Sequence, residues 1–315
     1  MDRGDSRDLD ALLKGAHTPS CGQFSVPACD HPTRCADIEK LKRGQLFFLN
    51  NISSCVFAML CSLACGLSIS NLLDPLVFTK VSDTPKKSLD RYIHTLIHVI
   101  RWHLSDFLEK DSPGRKSLDQ VRNMHNAVAE AMTKQQPDEK VVFSQYDMSL
   151  VQSGFVGAIV LHPQSFAIHH AVKDLDDYVY LWRFIGSQLG ITDQNNICFH
   201  GYHPTFTICK QIEDRVLIPA LRNPPKDFDL MAKAFTDGLN RLHLVSVYTP
   251  EAVINFVFDI IGQDRKRQSI PNELRIMTYK LMMKLKLYVP GFQFVMNKLV
   301  MLFYSCVDKK GSTCS

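Results

Sequence analysis

The sequence predicts an all-α fold. Three observations carry that expectation. Apolar residues recur at spacings of three and four through most of the chain, residues that open and close helices fall between those stretches, and no stretch alternates with period two beside a hairpin turn. The elements follow in order. Residues 1–36 hold Gly, Pro, Ser and Cys without an apolar period and read as a disordered tail. Asp37 is placed to cap a first helix, and the apolar run Ile52 to Ile69, interrupted by serines and a glycine, reads as a core helix that falls short of a membrane span. Ser88 to Leu104 carries Leu89, Tyr92, Ile93, Leu96, Ile97 and Ile100 on one face. Ser117 is an N-cap candidate for Leu118 to Met132, and Asp147 or Ser149 for a helix running to Val160. Asp174 opens Leu175 to Leu189, with Gly190 as the stop. Thr205 to Leu221 ends before Asn223-Pro224-Pro225, and Asp227 or Asp229 starts Leu230 to Leu244. Pro250 and Pro271 suit the first turns of Glu251 to Ile261 and Asn272 to Leu287. These lengths argue against a simple four-helix bundle. They suit one globin-like, multi-helix domain over 37–287 whose helices cross around an interior pocket, followed by an apolar helix and tail over 288–315.

Composition narrows the function classes. Of 315 residues, 36 are basic and 32 acidic, and the densest basic run, Arg265-Lys266-Arg267, is too short to be a nucleic-acid stripe. Ten cysteines occur with no Cys-x-x-Cys pair, as expected for reduced thiols in an intracellular compartment. No apolar stretch follows Met1, which argues against a secretory signal. The segment Leu287 to Cys306 gathers Phe292, Val295, Met296, Leu299, Val300 and Phe303 on one helical face. That face serves either the core or a membrane surface.

Two helices carry the residues of chemical interest. Arg91, His94 and Thr95 share a face of one, extended by His98 and Trp102, and Arg122 and His125 share a face of the next. A haem needs an apolar slot, an axial imidazole and cations for its propionates, and two helices bearing Arg and His at matched spacing provide that inventory. Other constellations are weaker. Cys198-x-His200-x-x-His203 with Cys209 fits no standard zinc spacing. There is no paired Glu-x-x-His for a di-iron centre, no Gly-x-Ser-x-Gly and no Gly-rich phosphate loop. Trp182-Arg183 reads as core plus an ion pair, with Asp193 or Asp176 as partner.

The pattern Arg91-x-x-His94-Thr95 followed by Arg122-x-x-His125 resembles the rubber oxygenase (latex clearing protein) and mpaB family of haem-dependent oxygenases. The resemblance covers most of the chain from Gly44 to Asn240. Gln145-Tyr146-Asp147-Met148 belongs to it, and Trp182-Arg183-x-x-Gly186 is its most specific piece. It implies haem b, with His125 as proximal iron ligand and Arg122 beside it. Arg91 and Thr95 would line the distal side, with O2 as co-substrate and oxidative cleavage of a C=C bond in an isoprenoid-like or other unsaturated apolar substrate as the reaction. His94 stands where the family has a lysine, so a distal ligand would be imidazole. Ala129 and Glu130 replace an Arg-His pair of the rubber enzymes, which argues against rubber itself as substrate. The general base stays open among Asp74, Asp83 and Asp90. The family includes an enzyme bound to the endoplasmic reticulum, so the cytoplasm or the cytosolic face of that membrane is the expected location. A haem closed by His94 and His125 together would instead suit a non-catalytic sensor, carrier or electron-transfer protein, and a protein with no haem would be an apolar-ligand or interaction module.

Overall fold

The chain is described from a computed structural model that covers residues 8–20, 35–107, 109, 111–135 and 141–312. All regular structure among them is helical, apart from one isolated bridge between Pro19 and Ser144. The order is α1 (Leu9–Leu13), α2 (Cys35–Asn50), α3 (Ile52–Gly66), α4 (Ser70–Thr79), α5 (Pro85–Leu104), α6 (Pro113–Gln135) and α7 (Gln145–Leu161). It continues through α8 (Val172–Gln188), α9 (Tyr202–Ile212), α10 (Ile218–Arg222), α11 (Phe228–Asn240), α12 (Pro250–Ile260), α13 (Ile270–Tyr288) and α14 (Phe292–Ser312).

Most starts lie within a few residues of the positions read from sequence, and the differences have local causes. Helix α6 begins at Pro113, whose fixed φ suits a first turn, and Ser112 caps it by accepting from the Arg115 amide at 3.3 Å. Ser117, expected to be the cap, is therefore inside the helix and buried. Helix α7 is opened by Ser144, whose Oγ accepts from the Asp147 amide at 3.1 Å while the Asp147 carboxylate accepts from the Ser144 amide at 3.0 Å. Asp147 is thus the third residue of a capping box and not the cap. Asp174 plays the same part in α8, accepting from the Ala171 amide at 2.7 Å. Gly190, at φ +93°, ends α8 as expected, with the Ile191 amide returning to the Gly186 carbonyl at 3.0 Å. Helices α9 and α10 are joined by a π turn, Glu213–Leu217, so they form the one rod expected over 205–221. Pro219 has no N–H to give to the helix, and the wider turn before it, with Ile218 bonding back to Glu213, absorbs the mismatch.

The tail expectation needs correction for residues 8–20. Asp8 caps α1 by accepting from the Ala11 amide at 2.9 Å, and Leu9 and Leu12 are fully buried. Gln211 accepts from the Leu9 amide at 2.8 Å, and Asn195 donates to the Leu12 carbonyl at 3.3 Å. A five-residue helix is too short to display a period, so its two buried leucines are not separable from a polar tail by sequence alone. Residues 1–7 and 21–34 of that stretch lie outside the described residues.

The chain divides into two compact units, each drawn from three sequence segments. The first comprises residues 1–48, 98–161 and 170–219. In it α7 packs on α8 and α9, and α6 on α8, around a ring cluster of Phe48, His103, Tyr178 and Trp182. The second comprises 49–97, 162–169 and 220–315. There α3 is covered by α11, α12 and α14, and its core is a four-ring cluster of Phe57, Phe166, Phe256 and Tyr279 with centroids 5.6–6.3 Å apart. No single helix among the described residues is long and apolar enough to cross a membrane.

Candidate functional site

Helix α5 carries Arg91, His94 and Thr95 in the second unit and His98 to Leu104 in the first. Its first half is held by Tyr92, whose ring meets Phe235 of α11 edge-on at 4.5 Å, and by Gly238, where α11 comes up against the Pro85 carbonyl. Tyr92 sits beside Arg91 and fixes its turn of the helix. Arg91 is half-buried, and its guanidinium is held below the usual arginine range because burial strips its water; the ring of Tyr92 offsets this only in part. It has no carboxylate partner among the described residues. A desolvated cation without a counter-ion is costly to fold around, which makes Arg91 the candidate anion-facing group of this unit. Thr95 spends its hydroxyl proton on the Arg91 carbonyl at 3.2 Å, which leaves its oxygen as an acceptor. His94, one position earlier, is exposed.

The end of α5 is tied to α6 inside the first unit. Ser117 Oγ accepts from Trp102 Nε1 at 2.9 Å and lies 2.6 Å from His98 Nδ1. The stripe that continues from Arg91 through His98 to Trp102 thus ends in a buried polar anchor. Two turns further along α6, the half-buried His125 ring stacks on Phe143 at 4.8 Å and 13°, and its Nδ1 has no access to solvent. Phe143 holds this position from a left-handed backbone, φ +52°. Arg122 is engaged on two sides, donating to the Gln188 carbonyl at 3.2 Å and to Asp119 at 2.6 Å. It is half-exposed and serves to tie α6 to the end of α8.

The Trp182-Arg183-x-x-Gly186 stretch has a structural account. Trp182 is core. Arg183 does not find Asp193 or Asp176 as an ion partner; its guanidinium lies over the Phe199 ring at 3.9 Å. Asp176 instead accepts from Lys40 at 3.3 Å and from the Tyr202 amide at 3.0 Å. Gly186 is needed because the Gln152 amide fills the space beside its Cα: a Cβ there would come within 2.5 Å of Gln152 Nε2. That amide bridges the Trp182 carbonyl, Asn196 and the Ile197 amide. The network pins the 189–201 loop to α7 and α8.

Two buried groups escaped the sequence reading. His103 lies in the first core between Phe48 at 3.6 Å and Tyr178 at 6.2 Å. Desolvation pushes its pKa down to about 4, and the Val99 carbonyl, 2.7 Å from Nδ1, recovers only part of the loss. A neutral imidazole with Nε2 enclosed and unbonded is the result. Lys286 of α13 is buried in the second unit with its ammonium on Ser54 Oγ at 3.3 Å. Neither position shows in sequence, since one histidine follows Trp102 and one lysine alternates with leucines like many others. Cys198 and Cys209 are both buried free thiols in the first unit, and the described residues contain no group of three metal-ligating side chains. The chain matches no family model, no curated protein and no solved structure.

Proposed function

We propose that the chain is a haem-dependent oxygenase acting on an unsaturated apolar substrate, with His125 as the axial ligand. The observation that carries this reading is the state of Arg91: a dehydrated guanidinium with no carboxylate to neutralise it fits a ligand that brings its own negative charge, as haem propionates and reduced oxygen do. The chemistry of the donor set agrees. His125 supplies an imidazole whose ring plane is fixed by stacking on Phe143 and whose Nδ1 is closed to solvent. That His125 and the α5 residues serve one cofactor rests on the sequence pattern alone.

When bound, haem supplies the iron at which O2 is activated. The chain's own residues then have separate tasks. His125 binds and orients. Arg91 presents a planar fork of donors to a developing negative charge, and Thr95 offers an acceptor oxygen beside it. Exposed His94 tunes that side without anchoring anything. The proposed location is the cytosolic face of an intracellular membrane, where an isoprenoid-like substrate would partition.

Purified protein loaded with haem is expected to show a Soret band that shifts with CO after reduction. His125→Ala is expected to fold and to lose the haem. A normal haem content in that variant would remove His125 from the site, and a wild-type chain that takes up no haem would remove the function. His94→Ala is expected to retain haem and move the resting spectrum toward high spin. Haem loss equal to that of His125→Ala would make His94 an anchor and favour a closed, non-catalytic haem protein.

A further inference from the structure

Helix α13 buries one face and α14 half-buries one, and each leaves apolar residues exposed on the opposite side. On α13 the buried residues are Ile276, Tyr279, Met283 and Lys286. Ile270, Leu274, Met277, Leu281 and Tyr288 are exposed instead, at spacings of four, three, four and seven, which is one unbroken stripe along the helix. Ile270 is 79% exposed and Tyr288 77%. On α14, Asn297 and Gln293 turn inward to Ser53 and Ser54 of α3, while Val295, Leu299 and Leu302 are exposed on the other side. Both helices reach α3 with their inner faces, Lys286 and Asn297 meeting adjacent serines, and each carries its apolar stripe on the exposed side.

Each stripe contains one exposed lysine that has no carboxylate partner among the described residues, Lys284 between Leu281 and Tyr288 and Lys298 between Val295 and Leu302. Residues 270–312 hold seven basic and two acidic residues, so the net positive charge of this hairpin exceeds the +4 of the whole chain. These charges discriminate between occupants. A second copy laid on the same surface would trap lysines from both partners in an apolar seam and set two cationic hairpins against each other. Lipid does the reverse: aliphatic side chains enter the acyl boundary and the lysines snorkel to anionic headgroups.

We propose that the outer face of the α13–α14 hairpin lies flat on an anionic lipid surface. The inference takes up the membrane contact of the proposed function, names its residues and its lipid class, and is independent of haem. Neither helix crosses the bilayer, consistent with their lengths and interrupting lysines.

The test is co-sedimentation of the full chain with vesicles of phosphatidylcholine, with and without phosphatidylserine. The chain is expected to pellet with the anionic vesicles and to be released by salt. The double variant Leu281→Glu, Leu299→Glu is expected to stay in the supernatant, with unchanged circular dichroism because both sites face outward. Lys284→Glu and Lys298→Glu, which leave the apolar stripe intact, should each weaken binding roughly fivefold. Failure of the wild-type chain to pellet, equal binding to neutral vesicles, or a wild-type dimer that Leu281→Glu dissociates would each overturn the proposal. His125→Ala should pellet like wild type, so failure of the haem reading leaves this one standing, and the converse holds.

Discussion

Gly186→Ala is expected to destabilise the chain by roughly 2–4 kcal/mol. The added Cβ would sit 2.5 Å from Gln152 Nε2 and 3.1 Å from Asn196 Nδ2. Both amides are buried and bonded. Gln152 donates to the Trp182 carbonyl at 2.9 Å and to Asn196 Oδ1 at 3.0 Å, and it accepts from the Ile197 amide at 3.1 Å. Asn196 donates to the Arg183 carbonyl at 2.8 Å. Moving either amide strands a polar group in the core, at about 1–3 kcal/mol each. The better helix propensity of alanine recovers only about 1 kcal/mol. The midpoint of urea unfolding measures the result. Gly154→Ala is the control of opposite sign, because a Cβ there meets nothing within 4 Å; it should stabilise by roughly 0.5–1 kcal/mol. Removing the obstructing amide with Gln152→Ala should make the cost of Gly186→Ala much smaller than in the wild-type background. An unchanged midpoint for Gly186→Ala would show that the amide is not held where the network places it.

Lys286→Met is expected to stabilise the chain at neutral pH by roughly 2–3 kcal/mol. Lys286 is buried, and loss of hydration pushes its pKa down to about 8, while nearby Cys55 opposes this only weakly. Its ammonium donates to Ser54 Oγ, and no carboxylate pairs with it among the described residues. Below pH 8 the lysine is charged in both folded and unfolded chains, so the whole burial penalty is present. Between pH 8 and about 10.4 the folded chain has lost the proton and the unfolded chain has kept it, so wild-type stability recovers as pH rises through that window. The advantage of Lys286→Met should therefore shrink from pH 8 to pH 10 and be constant below pH 7. Comparing the two proteins at each pH cancels the buried thiols and tyrosines, which titrate in the same range with the opposite sign. A difference that does not change with pH would mean that Lys286 keeps its charge in the fold.

Much of the secondary structure was legible because it rests on local chemistry. The 3–4 spacing of Leu89, Tyr92, Leu96 and Ile100 is enough to mark α5, and the proline at the head of α12 and the glycine after α8 mark their ends. The starts of α6 and α7 were misplaced by a few residues for a shared reason. Several capping residues compete near each start, and the winner is the one whose hydroxyl reaches an amide three residues on, as Ser112 and Ser144 do. α1 was missed because its stability comes from burying Leu9 and Leu12 and from bonds to Gln211 and Asn195, all distant in sequence.

The candidate site divides the same way. Sequence periodicity is enough to place Arg91 and Thr95 on one helical face and Arg122 and His125 on another, and to predict the all-α architecture of the described residues. Those are consequences of helical periodicity, which needs only neighbours a turn apart. Tertiary structure alone decided what each side chain experiences. It dehydrated Arg91 without giving it a carboxylate, left His94 in water, closed Nδ1 of His125 against solvent, and stacked Arg183 on Phe199 in place of an ion pair. It also buried Lys286 and His103, two ordinary-looking residues whose titration is set by the removal of water. Desolvation depends on which segments close over a residue, and each unit is assembled from three separate segments of the chain. No local pattern carries that information, because hydration is lost to neighbours that are distant in sequence and near only once the chain has folded.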